Sequence, residues 1–134
     1  MMLVMLFLGI LLYPELKTAA LLGIGTGILA ALTTTFPGGQ LPNFFEKIIT
    51  AFLILSLITL VKKVPNRYIK ALVATSVGTV ISGSTFLVFA MIIAELPVPF
   101  NVLFVTVVLP AILLNTGLMA AIFPIADKMS KLLK

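Results

Sequence analysis

Four long apolar runs separated by short polar breaks organise this chain: residues 18–36, 44–61, 69–94 and 100–123 are dominated by Leu, Ile, Val, Ala, Phe and Gly. A helix needs about 20 such residues to cross the hydrocarbon core of a bilayer, and each run is long enough. The breaks read YPELK, PGGQLPN, KKVPNRY and ELPVP. Each holds a proline to stop a helix and polar residues suited to an interface. Ahead of them, residues 1–13 form a shorter apolar run that reaches about 20 Å at 1.5 Å per residue, less than the roughly 30 Å slab. The pattern predicts an all-α, polytopic transmembrane helix bundle with five helical segments, built as a single integral membrane domain over residues 1–134.

Inside the runs, small residues recur at helical spacing. Ala19, Gly23, Gly27 and Ala31 make a row in the first full span, and Ala74, Gly78 and Ser82 make one in the third, beside Thr75, Thr79 and Gly83. Such rows let helix backbones approach closely, so they predict tight pairs. Ser82, Ser84, Thr85 and Asn115 would be unpaired against lipid, which places them toward the bundle interior or a wet cavity. Helical rise puts Ser84 about 15 Å and Asn115 about 22 Å below one end of their helices. At the first depth a pocket floor and a helix–helix hydrogen bond are both open, and at the second, interhelical bonding is the expectation. Pro110 removes a donor and frees the carbonyl of Thr106, permitting a kink.

Composition supports the membrane reading: 61% of the residues are hydrophobic and 10% charged, against about 25% charged in soluble domains. With no Cys and no His, the chain has no thiol nucleophile, disulfide or imidazole ligand. The net charge of +5 reads as a topology signal. Lys62, Lys63, Arg67 and Lys70 form one basic cluster and Lys128, Lys131 and Lys134 another, two helices apart and therefore on one side; Lys17 joins them. Basic residues collect in cytoplasmic loops. Loop 62–70 and the C-terminus are thus expected in the cytoplasm, loops 37–43 and 95–99 outside, with Lys47 alone among the basic residues on the outer half. No nucleic-acid partner is needed to explain the charge. This assignment also leaves Met1 outside, and an additional helix upstream of residue 1, six in all, would restore an inside start.

The stretch TTTFPGGQLPN, residues 33–43, departs most from its surroundings. Pro37 stops the preceding helix, Gly38 and Gly39 permit positive φ and expose backbone N–H groups, and Pro42-Asn43 is read as the next helix start. Asn43 with Glu46 three residues later has the form of a capping box. A helix N-terminus beside a glycine turn offers donors and a positive dipole end to a carboxylate, and Gln40 can donate or accept. A plain interfacial turn is the other reading. GIGTG in the first span lacks the lysine of a Walker loop and the spacing of G-x-G-x-x-G, so nucleotide binding is excluded.

FLGILLYP, ALTTTFPGGQLPN with FFEKIITA, SGSTFL and VVLPAILLNTG resemble the tryptophan-specific membrane proteins of bacteria and archaea, related to the substrate-capturing S components of energy-coupling-factor transporters. FPGGQLPN is the most specific part of the likeness, which extends over nearly the whole chain. The resemblance implies a six-helix fold with a cytoplasmic N-terminus, capture of substrate near the outer face, and docking on a transmembrane coupling subunit driven by two ATPase subunits. In such a scheme this chain does no chemistry and carries no cofactor, catalytic residue or metal site. The expectation that it is not an enzyme also rests on the reading that no helix interior carries an ionisable residue.

A tryptophan substrate would require an apolar slot for indole, donors for its carboxylate and an acceptor or anion for its ammonium. The expected carboxylate donors are the amides of Gly38 and Gly39 and the helix start at Asn43, with Gln40 taking the carboxylate or the indole N–H. Phe36 and Phe44 would wall the ring, and Glu46 or Glu95 would meet the ammonium, with helix capping and a solvated loop end as their respective structural readings. Ser84 and Asn115 complete the candidate set. Two other functions fit the same residues: capture of a different aromatic or heterocyclic solute, and a non-transporting subunit of a membrane assembly.

Overall fold

In the computed structural model, which describes residues 2–134, five helices follow one another with no strand among the described residues. They are α1 (Met2–Leu12), α2 (Leu16–Thr33), α3 (Gln40–Leu60, ending in a 3₁₀ turn Val61–Lys63), α4 (Arg67–Ile93) and α5 (Phe100–Leu132). All but α1 are long and apolar enough to cross a bilayer. Met1, expected outside, lies beyond the described residues. The predicted runs fall on these helices, but α3 starts four residues earlier than expected and α5 runs on to Leu132. The Lys128 and Lys131 tail is therefore helical.

The short α1 is the most enclosed element. Val4, Leu6, Phe7 and Ile10 are fully buried against Ile54, Ala74 and Met119 of the neighbouring helices. The small-residue rows make the room. A Cβ at Gly78 would stand 2.3 Å from Ile54 Cδ1 and 2.7 Å from Phe7 Cζ, so any larger residue would force these side chains to shift. The row in α2 seats that helix on α3: a Cβ at Gly23 would fall 2.9 Å from Ala51 Cβ, and one at Gly27 would fall 2.9 Å from the Phe44 carbonyl oxygen. Ala19, Gly23 and Gly27 are buried, whereas the row ends in a half-buried Ala31. Large aliphatic side chains such as Leu16, Leu32, Leu60 and Leu132 stay exposed on the outside, the surface that lipid would solvate.

The α4–α5 seam is polar. Ser76 Oγ and Thr116 Oγ1 lie 2.9 Å apart, and Asn115 Nδ2 donates to Thr79 Oγ1 at 3.3 Å. Tyr68 Oη donates to the Ala120 carbonyl at 3.4 Å. That carbonyl is free because Pro124, inside α5, has no N–H to give it, so a hydroxyl from α4 fills the gap left by proline. Above Pro110 the chain relaxes into one π turn, Phe104–Val108. Val108 of that turn packs where a Cβ at Gly83 would be 2.7 Å from its Cγ2. At the far end Asp127 lies 2.8 Å from Arg67 Nη1 and 2.9 Å from Lys131 Nζ. The Arg67 contact joins charges without aligned hydrogen-bond geometry, because Asp127 Oδ1 has no hydrogen-bond partner among the described residues.

Candidate functional site

The loop between α2 and α3 is a built turn. Thr34 Oγ1 accepts from the Phe36 amide at 3.2 Å, and the Gly39 amide donates to the Phe36 carbonyl at 3.0 Å. Proline at the second position and Gly38 at φ +67° at the third match a type II turn over residues 36–39. A Cβ on Gly38 would also meet Ala94 Cβ at 2.7 Å, because the turn lies against the end of α4. Phe36 adds an edge-on contact to Phe86 with ring centroids 5.1 Å apart. These contacts account for the glycine pair without a ligand. They also correct the expectation of two exposed donors, since the buried Gly39 amide is already spent within the turn.

The helix start expected at Asn43 is corrected too. Gly39 is the N-cap, Asn43 is the fourth residue of α3, and its amide donates to the Gly39 carbonyl at 2.9 Å. Pro42 therefore occupies the first turn, where a missing N–H costs no intrahelical bond. Without a cap at Asn43 there is no capping box, and Glu46 does something else. It is fully buried; Oε1 accepts from Thr50 Oγ1 at 2.8 Å and from Ser82 Oγ of α4, and Oε2 pairs with Lys47 Nζ. Lys47 is itself only 9% exposed. The expectation that helix interiors lack ionisable groups is thus overturned: α3 carries an acid and a base inside the bundle. Burial of charge requires pairing and added hydrogen bonds, and this cluster has both.

Lys47 is reached from a cleft of about 930 Å³ bounded by α2, α3 and α5, with Met2 and Leu3 of α1 also lining it. Ala30, Thr33 and the loop 34–36 form one wall, and α5 from Ala111 to Ala121 the other. The size suits a small organic molecule, as does an apolar lining with a few convergent polar groups. Those groups are Asn43 and Lys47, one turn apart on α3, Asn115 across from them on α5, and Thr33, Thr34 and Thr35 at the end of α2 and the loop after it. Of the residues singled out from the sequence, the cleft gathers Phe36, Asn43 and Asn115. Gly38, Gly39, Gln40, Phe44, Ser84 and Glu95 do not line it. Gln40 and Glu95 are exposed, Glu95 with a left-handed φ of 47°, and Phe44 packs edge-on against Phe45 at 5.4 Å. Glu46 sits behind Lys47, sealed from the cleft.

Lys47, Thr33 to Thr35, Thr50 and Pro124 are not among the residues that the sequence singles out for the site. One signal for Lys47 was present: it is the basic residue set apart from the other eight, within an apolar run where a charge needs a partner.

A family model described as tryptophan transporter TrpP matches residues 1–131. A protein of Bacillus subtilis named "Probable tryptophan transport protein" is 49% identical, the match covering 95% of this chain and 73% of the relative. Proteins of the same name from Clostridium acetobutylicum and Clostridium perfringens are 46% and 40% identical, over 94% and 92% of this chain and 74% and 73% of the relatives. No solved structure matches the chain. A family model that takes in almost every residue, from the short α1 into the last turn of α5, settles the kinship: the chain belongs to the tryptophan transporter family TrpP.

Proposed function

We propose that this multi-pass membrane protein takes up tryptophan, holding it in the cleft between α2, α3 and α5 on its way across the cytoplasmic membrane. Family membership and four membrane-length helices support the membrane setting. The observation that carries the substrate reading is the cleft itself, a largely apolar space with Asn43, Lys47, Asn115 and Thr33 to Thr35 among its lining residues. An indole needs apolar walls, and an amino-acid backbone needs one donor group and one acceptor group. The kinship points to transport and away from catalysis.

In the same reading, the 37–43 and 95–99 loops face the medium, and the 62–70 loop and the C-terminus face the cytoplasm. The gathering of Lys62, Lys63, Arg67, Lys70 and the C-terminal lysines at one end supports this. A transmembrane coupling subunit and two ATPase subunits are the partners, by analogy with S components.

The test is a tryptophan titration of the purified protein. The chain has no tryptophan, so indole emission reports the ligand alone. Saturable binding that tyrosine, indole, thiamine and folate fail to displace is expected. Displacement by thiamine or folate would assign a different heterocyclic solute, and no small-molecule binding would leave an assembly subunit. A Gln40→Cys variant labelled from the medium by a membrane-impermeant thiol reagent checks the sidedness; labelling only from the cytoplasmic side would reverse it.

A further inference from the structure

Lys47 poses a question that packing alone does not answer. Its aliphatic stem lies along α2, where a Cβ at Gly27 would be 3.6 Å from Lys47 Cβ. Its ammonium reaches back to Glu46 Oε2, the one hydrogen bond it makes among the described residues. An ammonium has three N–H donors. Two are therefore unspent on a side chain that is nine-tenths buried and lines the cleft. The acid beneath it, in contrast, has both oxygens engaged, by Thr50, Ser82 and Lys47.

We propose that Lys47 Nζ is the cation that receives the carboxylate of the transported amino acid, and that Glu46, anchored by Ser82 and Thr50, is the residue that positions it. This rests on the reading of the cleft as the substrate site. Glu46 neutralises Lys47 before substrate arrives, so the empty site buries no net charge. The two remaining N–H donors are then open to an entering anion. A zwitterion suits this better than a simple anion, because it brings its own positive group. Asn115 can meet that group: its Nδ2 is committed to Thr79, and its Oδ1 makes no hydrogen bond among the described residues, so the acceptor end of the amide is available. The assignment moves the carboxylate from the glycine turn, whose Gly39 amide is occupied, to a side chain with donors to spare.

The experiment compares three ligands on purified protein by indole emission: tryptophan, tryptophanol, which has a hydroxymethyl in place of the carboxylate, and tryptamine, which has a hydrogen there. Wild-type protein should prefer tryptophan to both by about 10- to 100-fold, the range of one charge-assisted hydrogen bond. Replacing both partners, Glu46→Gln with Lys47→Met, removes the pair without stranding a buried charge. That double variant should bind all three ligands alike, at about the wild-type affinity for tryptophanol, while Lys47→Arg keeps the preference. Equal binding of the three ligands by wild-type protein, or an undiminished preference for tryptophan in the double variant, would overturn the assignment. If wild-type protein bound none of them, the reading of the cleft as a tryptophan site would fall first.

Discussion

Pro-Asn occurs twice in this chain, before α4 and at the start of α3, and the two copies do different things. Asn66 is a true N-cap: its side chain accepts from the amides of Tyr68 at 2.9 Å and Ile69 at 3.3 Å. Asn43 caps nothing, because the type II turn at 36–39 has already delivered the chain into helix at Gln40. Val64 before the second pair is extended, at φ −72° and ψ 114°, so the helix there has to begin at the asparagine. The charges that follow diverge in the same way. Arg67 and Asp127 pair at the edge of the bundle, the arginine side chain 46% exposed, whereas Glu46 and Lys47 pair inside it. Like dipeptides and like charges take their roles from where the preceding turn places them.

The two Pro-Asn sites differ most in the charges that follow them, at the buried pair. Lys47→Ala strands the Glu46 carboxylate in the interior and should cost about 3–5 kcal/mol, seen as a lower unfolding midpoint in detergent. Most of that loss should return in the double neutral variant, and a midpoint for Lys47→Ala matching wild type would show the pair to be solvated. Next in size is the turn that displaces the helix start. Gly38→Val forces a β-branched residue to a positive φ and into Ala94, for about 1–3 kcal/mol. Any accompanying loss of tryptophan binding should recover in conditions that restore the fold, because Gly38 does not touch the cleft. The smallest effect sharpens the contrast between the asparagines. Asn66→Ala should lower stability by about 1 kcal/mol, the worth of a lost cap, and Asn43→Ala by under about 0.5 kcal/mol while weakening ligand binding. Equal thermal losses in the two variants would contradict the difference in capping.

Several interior features are legible in residue spacing alone. The rows through Gly23 and Gly27 and through Gly78 are close-packing positions, as their spacing predicts, because small-residue periodicity is a property of one helix. Asn115 bonds across to Thr79, as a polar amide in an apolar helix must do with some neighbour. The identity of that neighbour could not be read. For Glu46 the local pattern gave the wrong partner: a residue three places after asparagine imitates a capping acid, and its real partner Ser82 lies 36 residues away. Glu46 and Lys47 also stand about 100° apart around α3, so only a helix enclosed on several sides can bury both. Nor does the sequence show that Pro124 hands its orphan carbonyl to Tyr68.

Apolar length, proline and glycine are one-dimensional signals, each acting within a turn or two of its own position. They determined by themselves that the described residues form a bundle of five helices and in which stretches these break, though not the residue at which α3 begins or α5 ends. The inward direction of the acid, the donors left on Lys47 and the cleft between α2, α3 and α5 depend on which helices meet, and at what rotation. Only the packing of distant segments decides that, since a buried charge is tolerated where another helix supplies its partners.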